Sequence, residues 1–412
     1  MPNLRFWSWL LGCLLWLAVG PEGRLLALQP TVILISLDGV RHDAPDKADF
    51  PGFQRLIREG IRADHLIPVY PTVSFPCHVS MVTGTWPDVH GIIDNEFYDR
   101  ERGLYDYSAD EADWIMAEPL WAAAERQGIQ TAVNFWIGSG SPWQGQSASF
   151  YKVPFSKRRS RESSEVRQIL QWLDLPLDER PRLIVSHWYG VDVLSHRQGP
   201  EHPEVVKRLK KKDGRLQQLM EGLDERRLWA NTTMILVSDH GLTEAQTNID
   251  VKGMLKKAGI QARVTGGAAM LNIYIEDESL RQQAFELLSQ VPHIKVERPF
   301  EIEHSKRLVH SSRTGDLVVT TTPPYTFFKL NALQASGFRL MARHRGWRLG
   351  MDGYPPSLYS DMNGIFMAIG RGVPTGRRIQ AVHSIDIAAT ISSLLGMEPP
   401  AQSEGKSFLP LL

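Results

Sequence analysis

Thr31-Val-Ile-Leu-Ile-Ser-Leu37 is an unbroken apolar run that stops at Asp38-Gly39. A run this short, rich in β-branched residues and without polar alternation, reads as a strand covered on both faces, as in a parallel sheet. Asp38 then stands at the strand's carboxyl end, where open α/β sheets gather ligand chemistry. An aspartate opening a turn before Gly39 is the plain structural alternative. Three further runs have the same form: Gln130–Trp136, Leu183-Ile-Val-Ser-His-Trp188, and Thr233-Met-Ile-Leu-Val-Ser238, the last ending in Asp239-His240-Gly241. Gly364–Gly370 adds a late core strand. Helical patterns fall at Phe53–Gly60, Leu120–Gln127, Val166–Leu173, Val205–Leu228 and His383–Leu395, with Ser384 read as the cap of the last. This alternation predicts an α/β fold, a mostly parallel sheet flanked by helices. From Thr243 to about Trp347 the pattern breaks into short mixed elements, including Ala268–Ile275 and Asp316–Thr322, read as an inserted, substrate-shaping, cap-like region.

The stretch Pro71-Thr-Val-Ser-Phe-Pro-Cys-His-Val-Ser-Met-Val-Thr-Gly84 puts a hydroxyl where an apolar segment becomes a helix. Pro76 suits a first helical turn, and Ser74 ahead of it fits the cap position. A helix start is also a seat for a phosphate, and a serine there could attack what is seated. Asp192 and His196, four apart on a loop or short turn, can face one point as paired metal ligands do. Asp239-His240 has the same composition, whereas His187 inside an apolar run reads as a satisfied core histidine. Asn95, in the loop His90-Gly-Ile-Ile-Asp-Asn95, is a turn residue or a donor to a phosphate oxygen.

The 412 residues suffice for one large α/β domain with an elaboration. Forty-six basic residues balance 46 acidic ones, so no global field favours a nucleic-acid polymer, and Lys207-Arg-Leu-Lys-Lys-Lys212 reads as a solvated helix face. Residues 1–27, with Arg5 before the apolar stretch Phe6–Val19, read as a secretory signal peptide cleaved near Ala27; an uncleaved anchor is the alternative. Cys13 sits too early in that stretch for lipidation. Removing the leader leaves Cys77 as the sole cysteine, so no internal disulfide forms, which suits a periplasmic or secreted bacterial enzyme.

Taken together, Ser-Leu-Asp38-Gly, Pro-Thr-Val-Ser74-Phe-Pro-Cys-His, Asp192-x-x-x-His196 and Ser-Asp239-His240-Gly resemble the nucleotide pyrophosphatase/phosphodiesterase family of the alkaline phosphatase superfamily. Phe135-Trp-Ile-Gly-Ser139 is similar to that family's Trp-Pro-Gly-Ser loop, and the likeness runs in order from about Thr31 to Leu395. The resemblance implies an alkaline-phosphatase-like domain over residues 28–412, with about 243–347 as its inserted region. It implies two divalent metal ions, zinc in the family. One would take Asp38, Asp239 and His240 with Ser74 as the nucleophile in contact with it; the other would take Asp192 and His196. Asn95 resembles the family's phosphate-oxygen donor.

Three positions depart from the family pattern. Asp352, in Asp-Gly-Tyr, stands where a histidine usually completes the second metal site, with His344 as the nearest histidine alternative. Serine replaces the more common threonine nucleophile, and Cys77 replaces an asparagine, which could alter the pocket wall. Cys77-His-Val-Ser-Met does not fit the Cys-x-Pro-x-Arg pattern of a sulfatase. The expected substrate is a small phosphodiester, a nucleotide or a phospholipid head group, with no stable protein partner. Monoester or phosphonate hydrolysis, or a binding protein without turnover, are the rival readings. Trp136, Trp188 and Tyr189 could stack on a base, though in a chain with 12 tryptophans they read first as core or rim.

Overall fold

The computed structural model describes residues 29–109, 111–152, 164–327 and 349–409. The leader, His344 and most of the charged connection Ser156–Glu165 lie outside them. In chain order the principal elements are β1 (Thr31–Leu37), α1 (Pro51–Glu59), β2 (Ile61–Ile67), α2 (Ser74–Thr83), α3 (Leu120–Arg126), β3 (Thr131–Asn134) and β4 (Phe150–Lys152). Then come α4 (Glu165–Leu173), β5 (Leu183–Trp188), α5 (Val191–Gln198), α6 (Pro203–Glu225) and β6 (Thr232–Val237). A second group follows: β7 (Arg263–Gly267), β8 (Met270–Tyr274), α7 (Glu278–Ser289), β9 (Ile294–Glu297) and β10 (Leu317–Thr321). The chain closes with β11 (Leu349–Met351), β12 (Gly364–Gly370), β13 (Arg377–His383) and α8 (Asp386–Leu395).

The main sheet has eight strands in the order β13-β2-β12-β6-β1-β5-β3-β4. All neighbours are parallel except β12, which runs against both β2 and β6. The fold is therefore alkaline-phosphatase-like α/β, with helices on both faces. Odd and even positions of the central strands feed two separate cores: Val32 and Leu34 pack on one side, with α2 and α8, and Ile33 and Ile35 on the other, with α1 and α6. That two-sided burial is why these strands carry no polar alternation. The second sheet, β7-β8-β10-β9, is antiparallel and builds its own small core.

Several sequence expectations are corrected. β2 and β13 were not anticipated, because Arg62, Asp64 and His65 interrupt one and the other is an exposed edge. Arg62 is held there by a two-armed pairing with Asp46 at 2.7 and 2.6 Å. Asp192 and His196 lie on a helix, α5, rather than on a loop. Ser74 is the first residue of α2, with Val73 at the cap position, so it caps nothing. Ser384 is likewise no cap: His383 still belongs to β13 and α8 begins at Asp386. Within the basic run, Lys212 is fully buried beside Glu165 (3.8 Å) and Trp188, so that end of the run is core rather than solvated face.

One buried cation ties the second sheet to the loop that carries Asn95. Arg313, with no exposed surface, donates to Asp99 Oδ2 (2.8 Å) and to the carbonyls of Gly91 (2.7 Å) and Trp114 (2.9 Å). Nearby, Ile92 N–H donates to His90 Nδ1, and His90 Nε2 bonds the Ser80 hydroxyl. Burial, with Arg313 close by, holds His90 down to a pKa of about 3.

Two outcomes follow. Arg313→Met should destabilise the fold by about 3–5 kcal/mol by leaving the Asp99 carboxylate unpaired, read as a fall in the urea midpoint; an unchanged midpoint contradicts the tie. His90 binds its proton less readily when folded, so its contribution is intact above the unfolded pKa near 6.5 and is lost as pH falls toward about 3. His90→Gln should flatten stability against pH across that window, and an identical slope in the variant would sink the assignment.

Candidate active site

The strands that carry the motifs all end at one edge of the main sheet. β1 delivers Asp38 there, β6 delivers Asp239 and His240, β5 leads into α5 with Asp192 and His196, and β2 leads to Ser74. β12 runs in the opposite sense, so the loop before it, with Asp352, returns to this same edge. That loop is tied to the serine segment: Gly353 N–H donates to Thr72 O at 3.0 Å, and Thr72 Oγ1 donates to Tyr354 O at 2.9 Å. Gly39 takes φ +68°, and a Cβ there would come within 2.7 Å of the Asp192 Cβ. Only glycine allows the β1 turn to lie this close to α5.

Ser74 Oγ, half-buried, donates to Asp38 Oδ1 at 3.4 Å and lies 3.3 Å from His240 Nε2. Asp239 Oδ1 accepts from Gly39 N–H at 3.0 Å, and its Oδ2 lies 3.1 Å from His240 Nε2. His240 Nδ1 donates to Gly241 O, which turns Nε2 toward the carboxylates. Across from it, His196 Nε2 is 3.1 Å from Asp192 Oδ1 and 3.6 Å from Asp352 Oδ2, while its Nδ1 donates to Gly350 O. Asp352 Oδ2 is also 3.5 Å from His240 Nε2, so it lies between the two histidines.

Among the described residues, two groups bring ligand atoms within 4.8 Å of one another: Asp38, Asp192 and His240, and Asp192, His196 and Asp352. Asp192 belongs to both. Asp239, expected in the first group, touches His240 but spends one oxygen on Gly39.

The electrostatics are those of crowded carboxylates. Burial works against a charge on His196, but Asp192 and Asp352 outweigh it and raise its pKa well above the ordinary value. Burial likewise opposes Asp239, Asp352 and Asp192 at His240, and again the carboxylates win. Asp352 is the converse: burial pushes its pKa up, and the two histidines bring it below the usual range. Asp192 Oδ1 and Asp239 Oδ2 are buried, and their nearest polar neighbours are His196 Nε2 and His240 Nε2, each at 3.1 Å. Buried carboxylate oxygens and imidazole nitrogens converging within 4.8 Å fit divalent ions such as zinc.

Two buried histidines brace this set. His187, read as a core histidine, is fully buried and donates from Nε2 to Asp38 Oδ2 at 3.0 Å. His78 donates from Nδ1 to Ser74 O at 2.8 Å, and its Nε2 bonds the Ser36 hydroxyl at 2.9 Å. Burial, with His187 beside it, holds His78 down to a pKa of about 3. Nothing in the local sequence marks His187 as a neighbour of the site, because Asp38 is 149 residues away, whereas His78 lies four residues after Ser74 on the same helix.

Residues 32–355 match the family model for type I phosphodiesterase / nucleotide pyrophosphatase. The chain belongs to that family. Human ectonucleotide pyrophosphatase/phosphodiesterase family member 1 is 36% identical over 226 residues, covering 52% of this chain and 24% of that protein. An ectonucleotide pyrophosphatase/phosphodiesterase of Caenorhabditis elegans is 26% identical over 394 residues, covering 92% of this chain and 44% of that one. The chain thus spans less than half the length of these curated relatives. The structure of murine ectonucleotide pyrophosphatase/phosphodiesterase 5 superposes with a TM-score of 0.80 at 22% identity, covering 90% of this chain and 96% of that one. An inactive variant of that mouse protein has been solved in complex with AMP.

Other positions of this family member are placed as follows. Asn95 Oδ1 accepts from Phe75 N–H at 2.7 Å, at the first turn of α2, and its Nδ2 donates to the half-exposed Tyr107 hydroxyl at 3.1 Å. Tyr107, whose ring packs edge-on against Phe75, was not singled out from the sequence. Trp136 and Trp188 are fully buried and offer no stacking face, whereas Tyr189 is half-buried against Phe135. Cys77 does not reach a pocket wall. It is buried behind α2 with Val69 and Ile385, its thiol toward the carbonyls of Val69 and Pro71.

Because the site concentrates buried acid, added divalent ion should stabilise the fold. A hundredfold excess of Zn2+ over its dissociation constant corresponds to about 2.7 kcal/mol, read as a raised unfolding midpoint against chelator-treated protein. Equal midpoints in zinc and chelator would show that these donors hold no ion.

Proposed function

We propose that this protein hydrolyses small phosphate diesters or pyrophosphates, nucleotides first among them, with Ser74 as the nucleophile and Asn95 as a donor to a phosphoryl oxygen. The observation that carries the reading is the seat of the Ser74 hydroxyl, at the N-terminus of the ten-residue α2 and between Asp38 Oδ1 and His240 Nε2. The family match and the relatives' names support the reaction class, and the AMP complex of the mouse protein supports a nucleotide.

Held by Asp38, Asp239 and His240 and by Asp192, His196 and Asp352, divalent ions would supply Lewis acidity that favours the serine alkoxide and offsets phosphoryl charge. Ser74 Oγ forms the bond to phosphorus as the bond to the leaving alcohol or nucleotide breaks, and that oxygen takes up a proton. Water then cleaves the phosphoserine, releasing the phosphate product and restoring the hydroxyl. The positive end of the α2 dipole favours the anion beside Ser74. Asn95 turns its amide from Tyr107 toward a phosphoryl oxygen while its carbonyl stays on Phe75 N–H. His187 and His78 keep Asp38 and the Ser74 backbone in register.

The reading extends to the chain's organisation. Residues 28–412 act as one hydrolase domain, with 243–347 shaping the substrate side, and the leader at 1–27 directs export; the relatives' ectonucleotide names support that location. No described helix is long and apolar enough to cross a membrane.

Purified protein supplied with zinc should cleave a chromogenic phosphodiester much faster than the matching monoester. Ser74→Ala should lose about three orders of magnitude or more, as removal of a covalent nucleophile does, while unfolding at the parent's midpoint. A wild type inert on both esters with metal bound would favour a binding protein. Undiminished turnover in Ser74→Ala would remove the nucleophile assignment.

A further inference from the structure

We propose that Asp352 sets the charge selectivity of this site: its carboxylate biases the centre against dianionic phosphoryl groups and toward monoanionic diesters. The inference rests on the two-ion reading above and deepens it. Asp38, Asp192, Asp239 and Asp352 are all buried, the most exposed showing 9% of its surface. Among the described residues, no lysine or arginine forms an ion pair with any of the four; their charged neighbours are histidines.

The basic side chain nearest in sequence, Arg41, is turned away and engages Asp43, Glu201 and Asp361. Four carboxylates therefore cancel two divalent ions completely, and none of the described residues adds a lysine or arginine for the phosphoryl oxygens. Asn95 offers them an uncharged amide.

In that setting each negative charge on the ligand counts. A diester brings one and a monoester close to two. Asp352 Oδ2 lies 3.5 Å from His240 Nε2, the same atom that stands 3.3 Å from the Ser74 hydroxyl, so the carboxylate is near the phosphorus position. At the effective dielectric of about 20 that suits such sites, a unit charge roughly 6 Å away changes anion affinity on the order of a hundred-fold. A histidine at 352 would ligate as a neutral group and leave the centre one unit more positive.

The test is equilibrium binding to zinc-loaded Ser74→Ala protein, which holds anions without turning them over. Dissociation constants for inorganic phosphate and for bis(4-nitrophenyl) phosphate are compared in this background and with Asp352→Asn, Asp352→His or Asp352→Glu added, each at two zinc ions per chain by elemental analysis. Asp352→Asn and Asp352→His should tighten phosphate relative to the diester by about a hundred-fold, and Asp352→Glu, which keeps the charge, should leave the ratio where it was. A ratio unmoved by Asn and His, or moved as much by Glu, overturns the charge role and leaves the diesterase reading standing. Failure of both anions to bind the zinc-loaded protein would overturn the charge role and the diesterase reading together.

Discussion

Buried negative charge at one edge of one sheet is the constraint on which this structure turns. Asp38, Asp192, Asp239 and Asp352 converge within a few ångströms, with two histidines between them and solvent largely excluded. Such an arrangement is costly unless each oxygen is bonded, paired with a cation or ligated. The surroundings divide that task. Gly39 N–H takes one oxygen of Asp239, and His187 takes one oxygen of Asp38. The oxygens that remain, Asp192 Oδ1 and Asp239 Oδ2, are buried with only imidazole nitrogens, those of His196 and His240, at 3.1 Å. Backbone and imidazole groups thus hold the outer lone pairs in place and present the inner ones as a preformed ligand set.

Preorganisation of this kind depends on segments far apart in sequence being locked to each other. The reciprocal bonds between Thr72, Gly353 and Tyr354 fasten the serine segment to the Asp352 loop, and the β1 turn presses on α5 where only a glycine fits. Arg313 does the same for the Asn95 loop, holding it against the second sheet through two carbonyls and a carboxylate. The geometry of the candidate site is a property of loop-to-loop fastening as much as of the strands beneath.

What the sequence made legible was whatever is encoded locally. Uniform apolar runs announced β1, β5 and β6, and the acidic or histidine residues at their ends announced the site, since a strand's carboxyl end is a position one can count to. β2 was illegible because Arg62 inside it is satisfied by Asp46 rather than by solvent, and β13 because an edge strand with most of its side chains exposed carries no apolar run. Ser74 looked like a cap because cap and nucleophile ask for the same residue in almost the same place. His187 looked like core because it is core; that its Nε2 meets Asp38 depends on the pairing of β1 with β5, which no local pattern states. Lys212 misled for the opposite reason, a charged run being solvated on average while one turn of the helix faces inward.

The reversed strand β12 has one more consequence. β2, which leads to Ser74, is bonded only to β12 and β13, and β12 is what joins it to β6 and the rest of the sheet. The stretch that matches the family ends at residue 355, before either of these strands begins. A polypeptide cut at that point would keep every candidate ligand and the serine, yet β2 would have no hydrogen-bonded neighbour. The end of the family-model match is therefore not a boundary of folding: the last two strands supply no candidate site residue and still complete the scaffold on which the site is mounted.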